Sequence, residues 1–145
     1  MNNFLELGIN EKIAEALKRQ GIITPTEAQI KAIPKIRQKG DLIFQSQTGT
    51  GKTLAYLLPI FEKLKNIPAT QTLIISPTHE LALQIGKVAA KIAEITGHIT
   101  AVIHGGSDIL REIEKLKKSP ALVIGTPGRL LDHLNRKQLD LSKVN

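Results

Sequence analysis

Short apolar runs alternate with longer amphipathic stretches over most of the chain. Four runs of strand length, rich in β-branched residues, cover residues 42–44, 72–75, 99–103 and 121–124. A cluster of Gly, Pro, Ser or Thr follows each run, and apolar positions at helical spacing come next. This alternation predicts an α/β domain in which helices cover both faces of a parallel sheet.

The amphipathic stretches predict four helices within this domain. Residues 53–65 and 107–118 form two of them, and the apolar positions of residues 81–95 indicate a third. Pro127 and Gly128 begin the fourth, because proline is favoured in the first turn of a helix.

The first 38 residues predict a helical segment that precedes the sheet. Asn10 caps a helix that Gly21 ends, and Thr26 caps a second helix that Pro34 interrupts. We therefore divide the chain into a helical segment, residues 1–38, and a sheet-containing domain, residues 39–145.

Composition narrows the class of protein. The chain has 145 residues, the size of one domain, and contains no cysteine, which excludes a disulfide scaffold and a thiolate metal site. Its net charge of +7 favours polyanionic partners. The sequence shows neither a signal peptide nor an apolar run that could span a membrane, so we expect a cytoplasmic protein without membrane association.

The strongest candidate for chemistry is the string Ser-Gln-Thr-Gly-Thr-Gly-Lys-Thr at residues 46–53, between a predicted strand and a predicted helix. Glycines let backbone N–H groups point at phosphate oxygens, and the helix N-terminus adds partial positive charge. In such a loop Lys52 reaches the β- and γ-phosphates of a nucleotide, and Thr53 holds Mg²⁺ through its hydroxyl. The alternative is a glycine-rich turn that carries a surface lysine.

Several further strings resemble, in order, those of one family, the DEAD-box ATP-dependent RNA helicases. Together with the phosphate loop, the strings that carry the resemblance are Phe4, Gly-Ile-Ile-Thr-Pro-Thr-Glu-Ala-Gln at 21–29, Pro-Thr-His-Glu-Leu-Ala at 77–82, Gly105-Gly106 and Thr-Pro-Gly-Arg at 126–129. The resemblance implies the first part of a RecA-like domain, a P-loop NTPase fold, with residues 21–29 as the family's Q motif. His79 stands where the family usually has Arg.

The resemblance implies ATP and Mg²⁺ as cofactors. Lys52 and Thr53 are the implied catalytic residues, with Thr53 also the Mg²⁺ ligand. The implied ATP-binding residues are Phe4, Thr24, Gln29, Ser46, Gln47, Thr48, Gly49, Thr50, Gly51, Lys52 and Thr53. A glutamine amide donates and accepts side by side, so Gln29 suits adenine N6 and N7. The ring of Phe4 either stacks on the base or anchors the N-terminal segment to the core.

The resemblance also implies RNA as partner, bound through its backbone and largely independently of base sequence. The implied RNA-binding residues are Pro77, Thr78, Gly105, Gly106, Thr126, Gly128 and Arg129, all at junctions where a predicted strand gives way to a helix. Arg129 lies in the first turn of a helix, which is unfavourable unless an anion or an acidic partner is near. Capping and tight turning are the structural alternative for these junctions. We interpret Lys115, Lys117 and Lys118 with Glu112 and Glu114 as a solvated helix face, and His98, His104 and His133 as histidines that bind no metal.

By the resemblance, the chain ends before the family's Asp-Glu-Ala-Asp string, which provides the carboxylate for Mg²⁺ and the group that positions the attacking water. The parent protein would couple ATP hydrolysis to local unwinding of RNA duplexes, whereas hydrolysis by this chain alone stays open and its ATP affinity should be weak. Residues 42–44 would lack neighbouring strands, which predicts an exposed apolar edge and self-association. The alternatives are a stand-alone, non-catalytic nucleotide- or RNA-binding module and a P-loop NTPase outside the helicases.

Overall fold

The computed structural model describes residues 3–38 and 40–145, and in these residues it has six α-helices and three β-strands. In chain order they are α1 (Glu11–Arg19), α2 (Glu27–Arg37), α3 (Lys52–Lys63), β1 (Thr72–Ile75), α4 (His79–Thr96), β2 (Thr100–Ile103), α5 (Ile109–Lys117), β3 (Leu122–Gly125) and α6 (Pro127–Asn135). The chain divides into two compact units that meet in sequence between Lys63 and Leu64. The predicted division after residue 38 stays a prediction.

Local capping chemistry defines the helices of the first unit. The Asn10 side chain accepts a hydrogen bond from the N–H of Lys12, as predicted for the start of α1, and Gly21 follows the helix with a φ of +79°. At α2, the Thr26 hydroxyl accepts from the N–H of Gln29, and the Gln29 amide oxygen accepts from the N–H of Thr26. This reciprocal pair is a capping box, which ties Gln29 to the start of its own helix.

The prediction that Pro34 interrupts α2 is wrong, because the helix continues to Arg37. Pro34 lacks only the N–H that would donate to the Ile30 carbonyl, and the three residues after it complete the last turn of the helix. Packing against α3 supports this turn, and Ala32 and Ile33 are buried beside the proline.

One predicted strand is absent from the segment that leads into the phosphate loop. Residues 42–44 do not form the predicted strand, and residues 41–47 have no regular secondary structure. A strand requires a partner whose backbone groups complete its hydrogen bonds, and the described sheet has only β1, β2 and β3. The side chain of Ile43 is therefore 98% exposed, which agrees with the predicted exposure of this apolar segment.

The second unit confirms the α/β prediction. Its parallel sheet has the order β1-β3-β2, with Val123 of the central strand opposite Leu73 on one side and Ala101 on the other. All four residues of β3 are buried, as expected for a central parallel strand. Its core comprises Ala101, Ile103, Leu116, Val123, Leu130 and Leu139. The observed strands of this unit agree with the predicted runs within one residue at each end. Three of the four predicted helices are α4, α5 and α6 of this unit, and the fourth is α3 of the first unit.

The helices were also compared with the length and apolar character of membrane-spanning helices. Across residues 3–38 and 40–145, no helix combines the length and the apolar character needed to cross a bilayer.

Candidate functional site

The predicted phosphate loop leads directly into α3. Gly49 and Gly51 have φ values of +77° and +80°, a region that L side chains rarely adopt, so the turn depends on glycine at both positions. Gly51 precedes α3 and has no side chain to cap it, which leaves the N–H groups of the first helical turn without a cap from that position. A helix N-terminus of this kind favours an anion.

Lys52 is the cation of this loop. Its ammonium group donates to the backbone carbonyls of Ser46 and Gln47, the latter at 2.9 Å. The Thr50 hydroxyl donates to the Gln47 carbonyl at 2.7 Å and also contacts the Ser46 hydroxyl. Lys52 thus lies at the centre of the loop with oxygen acceptors around it. Its present acceptors are neutral carbonyls, and hydrogen bonds from an ammonium group to charged phosphate oxygens would be stronger.

Gln29 is joined to the same loop. Its amide nitrogen donates to the Gly51 carbonyl at 3.1 Å, and the Thr26 hydroxyl donates to the Thr50 carbonyl at 2.6 Å. A Cβ atom on Gly51 would lie 2.4 Å from the Gln29 amide nitrogen, so glycine is needed there for close approach as well as for its φ. Gln29 is only 2% exposed, and both ends of its amide are engaged within the first unit.

Two further predicted ATP-binding residues, Phe4 and Thr24, differ from each other in exposure. Phe4 is 2% exposed, a burial that favours the anchoring role over stacking on a base. Thr24 is exposed and lies just ahead of the capping box. An open groove of about 610 Å³ adjoins the phosphate loop, with Ser46 and Thr50 at the loop and Leu42 and Lys31 among the other lining residues.

Thr53 provides the kind of oxygen that Mg²⁺ binds. Magnesium in nucleotide sites commonly keeps several waters and bonds to phosphates and one or two protein oxygens, so a single hydroxyl at the start of α3 fits that chemistry. Burial raises the pKa of the Tyr56 phenol, and a hydrogen bond with the Thr53 side chain partly opposes this shift. Thr53 and Tyr56 lie about one turn apart on α3.

The candidate RNA-binding residues follow the three strands of the second unit. Pro77 and Thr78 come after β1, Gly105 and Gly106 after β2, and residues 126–129 after β3. Because the strands are parallel and in register, these junctions lie at one edge of the sheet. The structure brings the predicted residues together at that carboxyl edge.

Their exposure and bonding are not uniform. Pro77, Thr78, Gly105, Gly106 and Gly128 are exposed, whereas Thr126 is 7% exposed and makes no capping bond with its side chain. The Thr78 hydroxyl accepts from the N–H of Leu81 and caps α4, so the capping alternative holds at this residue. The rings of His79 and His104 lie 5.1 Å apart beside the glycine pair.

Arg129 points into the protein. Its guanidinium donates to the carboxylate of Glu112 at 3.3 Å and to the carbonyls of Gly105 and Ser107 at 3.2 and 3.3 Å, and its side chain is 16% exposed. The acidic partner that the sequence required for an arginine in this position is therefore Glu112.

Glu112 is the residue that sequence reasoning placed wrongly. It is fully buried instead of lying on a solvated face, and its carboxylate also accepts from His133 at 2.7 Å, from the His104 N–H at 2.9 Å and from the Ser107 hydroxyl. Burial alone would raise the pKa of this carboxyl, but these hydrogen bonds and the charge of Arg129 hold it below its usual range. One signal was available: Glu112 precedes the buried Leu116 by four residues and shares its helix face.

These features define an α/β protein with a glycine-rich loop at the start of a helix, the predicted phosphate loop, and exposed junctions along the carboxyl edge of a parallel sheet. Residues 26–145 match the model of the DEAD/DEAH box helicase family, and the chain belongs to this family.

Known relatives support the assignment. The DEAD-box ATP-dependent RNA helicase CshA of Geobacillus kaustophilus is 44% identical over 147 residues, which cover 100% of this chain and 31% of that protein. RhpA of Helicobacter pylori, a DEAD-box ATP-dependent RNA helicase, is 42% identical over 137 residues, covering 94% of this chain and 28% of RhpA. The crystal structure of a DEAD box protein from Methanococcus jannaschii superposes with a TM-score of 0.92 at 34% identity, covering 100% of this chain and 40% of that one.

Proposed function

We propose that this chain is the ATP- and RNA-binding part of an ATP-dependent RNA helicase. The observation that carries the proposal is the joining of Gln29 to the phosphate loop at Gly51, since it links a group suited to adenine with a group suited to phosphate. The relatives act as whole proteins, and this chain spans 28% to 31% of their length. Coupling of hydrolysis to RNA unwinding is therefore proposed for the full-length protein.

In the proposed ATP complex, Lys52 exchanges its two carbonyl partners for phosphate oxygens, and the N–H groups at the start of α3 bind the same phosphates. Gln29 releases the Gly51 carbonyl and turns its amide to the adenine edge. Thr53 would hold Mg²⁺, which when bound neutralises charge on the phosphates. The chain thus binds and orients the nucleotide with residues of one loop and one capping box.

RNA binding is proposed at the carboxyl edge of the second unit. The exposed residues Thr78, Gly105, Gly106 and Gly128 offer hydroxyl and backbone groups to phosphate oxygens. Such contacts do not reach base edges, so oligonucleotides of different sequence should bind with similar affinity. The net charge of +7 favours the same partner.

Nucleotide preference tests the ATP proposal. Replacing Gln29 with alanine should weaken Mg·ATP binding about tenfold, because two hydrogen bonds of about 0.7 kcal/mol each are lost, and should leave GTP affinity unchanged. Both affinities are measured by equilibrium titration of the 145-residue chain. Gln20→Ala is the control, since Gln20 is an exposed glutamine of the same unit.

An equal loss for ATP and GTP in Gln29→Ala would contradict adenine recognition and indicate damage to the loop. The alternative of a non-catalytic binding module is distinguished by phosphate release: turnover that RNA stimulates and that Lys52→Ala abolishes excludes it. The second alternative, a P-loop NTPase outside the helicases, is disfavoured by the family match.

Self-association is proposed through residues 41–47. Ile43, at 98% exposure, and Leu42, at 36%, present apolar surface on a backbone that is not part of the described sheet. Sedimentation should show reversible association that Ile43→Lys weakens at least about tenfold, since burial of an isoleucine is worth about 1.5–3 kcal/mol. Ile23→Lys is the control, because Ile23 is 56% exposed outside this segment. A monomer at all concentrations, or equal effects of both variants, would refute the proposal.

A further inference from the structure

A fully buried carboxylate lies directly beneath the exposed glycine pair at the candidate RNA-binding edge. Glu112, on α5, accepts hydrogen bonds from two other parts of the second unit: the loop after β2, and α6 through Arg129 and His133. Isolated buried charges are costly, so a carboxylate in this position needs these partners to remain ionised. We call Glu112, Ser107, Arg129, His133 and Gln138 the Glu112 cluster.

The cluster holds both ends of the glycine-containing loop. At its start, the His104 N–H donates to Glu112, and at its end the Ser107 hydroxyl donates to the same carboxylate. The Arg129 guanidinium donates hydrogen bonds to the carbonyls of Gly105 and Ser107. These carbonyl oxygens are the negative ends of the loop's peptide groups, and the cluster turns them inward toward a cation.

The opposite side of the loop is exposed at Gly105 and Gly106. A phosphate backbone approaching that side meets peptide groups whose carbonyl oxygens are held by Arg129, so repulsion between oxygen atoms is reduced. Arg129 keeps its orientation only while Glu112 is ionised and in place, because the carboxylate is its anionic partner. The conformation of the glycine pair therefore depends on a residue that is itself inaccessible to RNA.

The far side of the cluster is fixed as well. The imidazole of His133 is fully buried and lies between Glu112 and the side-chain amide of Gln138, which is 3.0 Å from the other ring nitrogen. Because a carboxylate only accepts, His133 donates from its Nε2 atom to Glu112. Among the described residues, no buried polar side-chain atom is left without a hydrogen-bond partner. The carboxylate is thus restrained by several donors, and small displacements are costly.

We propose that Glu112 is a positioning residue for RNA binding, which holds Arg129 and the Gly105–Gly106 loop in the conformation that receives the phosphate backbone. The inference rests on the proposed RNA-binding function and adds to it a group that never touches RNA. The negative charge of Glu112 would by itself weaken RNA binding, whereas its positioning role strengthens RNA binding.

That opposition of sign provides the test. Glu112→Gln keeps the shape of the side chain but removes a negative charge, which by long-range attraction alone would tighten RNA binding. We expect instead that the affinity for a single-stranded RNA oligonucleotide falls about tenfold. Glu114→Gln is the matched control, since it makes the same charge change on an exposed side chain of the same helix, and its affinity should equal or exceed that of the unchanged chain.

The amide NMR signals of Gly105 and Gly106 report the loop conformation without RNA. They should shift in Glu112→Gln and stay in place in Glu114→Gln, while the affinity for Mg·ATP is unchanged in both, which separates positioning from general loss of structure. If Glu112→Gln does not fold, Ser107→Ala carries the test, with the same signals shifted and a loss of RNA affinity of about two- to threefold for one missing hydrogen bond.

Unmoved glycine signals together with RNA affinity at or above that of Glu114→Gln would overturn the inference. Glycine signals that shift without any change of RNA affinity would also overturn it, because the loop conformation would then be irrelevant to binding. If the unchanged chain itself fails to bind RNA, the proposed RNA function fails, and the NMR comparison still decides whether Glu112 positions the loop.

Discussion

Replacing Lys52 with alanine is expected to weaken the binding of Mg·ATP about 150-fold, because two charge-assisted hydrogen bonds worth about 1.5 kcal/mol each are lost. The Lys52 ammonium group lies within the loop, bonded to the carbonyls of Ser46 and Gln47. Charged phosphate oxygens are stronger acceptors than these carbonyls, so the ammonium group gains energy when a triphosphate replaces them. Calorimetric titration with Mg·ATP measures the loss directly.

The matched control is Lys12→Ala, which makes the same charge change at an exposed position of α1 in the same unit. It should bind Mg·ATP as the unchanged chain does. Equal affinities in the two variants would show that the loop around Lys52 is a structural turn, the alternative that its sequence left open.

Fold stability should hardly change in Lys52→Ala. The bonds that Lys52 makes here are to the carbonyls of an exposed residue, Gln47, and a half-buried one, Ser46, where water can replace the donor. The binding loss should therefore appear in a protein whose thermal unfolding midpoint matches that of Lys12→Ala. A lowered midpoint in Lys52→Ala alone would assign the effect to stability instead.

The parts of the fold that the sequence predicted well are those that local chemistry decides. Asn10 and Thr26 start their helices with side-chain caps, and the glycines of the phosphate loop adopt the left-handed backbone that only glycine accepts readily. The family resemblance implied only that Gln29 and Gly51 both bind ATP. The hydrogen bond between them, and the engagement of both ends of the Gln29 amide, needed the structure.

The parts that failed depend on partners distant in sequence. Residues 42–44 have the composition of a strand, but a strand exists only where another backbone pairs with it, and apolar composition does not supply that partner. Pro34 is tolerated because α2 ends soon after it, a boundary that periodicity does not locate to within one turn.

Glu112 shows the same limit at the candidate site. Its neighbours Glu114, Lys115 and Lys117 are charged, which favoured a solvated face for the whole run. The donors that satisfy its carboxylate come from His104, Ser107, Arg129 and His133, on elements that only the folded chain brings together. A buried charge is thus recognised through its partners, whereas sequence shows only that an acidic residue shares a face with Leu116.

In each unit, backbone carbonyls of a candidate binding loop accept hydrogen bonds from a cation or an amide. Lys52 and Gln29 hold the carbonyls of the phosphate loop, and Arg129 holds those of the glycine loop. They differ in accessibility: Lys52 contacts carbonyls of exposed and half-buried residues, whereas Arg129 is largely buried against Glu112. We therefore expect Lys52 to exchange partners on binding and Arg129 to keep them.

The second large effect is expected at the end of β3, where Gly125→Ala should destabilise the second unit by about 3 kcal/mol through overpacking. A Cβ atom at Gly125 would lie 2.5 Å from the Ile103 carbonyl oxygen and 2.7 Å from a methyl carbon of Leu130. The Ile103 carbonyl also accepts from the N–H of Thr126, so β2 and β3 cannot separate there without loss of that hydrogen bond. The clash cannot be relieved by the movement of a flexible side chain alone, because the nearest atom belongs to the backbone of Ile103.

Native-state amide exchange at Val123, in the buried centre of β3, measures this effect within the second unit. The 3 kcal/mol loss corresponds to protection reduced about 150-fold. Gly128→Ala is the matched control, because no atom lies within 4 Å of a Cβ at that position and alanine favours the helix in which it sits. Equal protection of Val123 in the two variants would mean that β2 moves aside at little cost. The glycine at the end of the central strand would then be dispensable for the sheet.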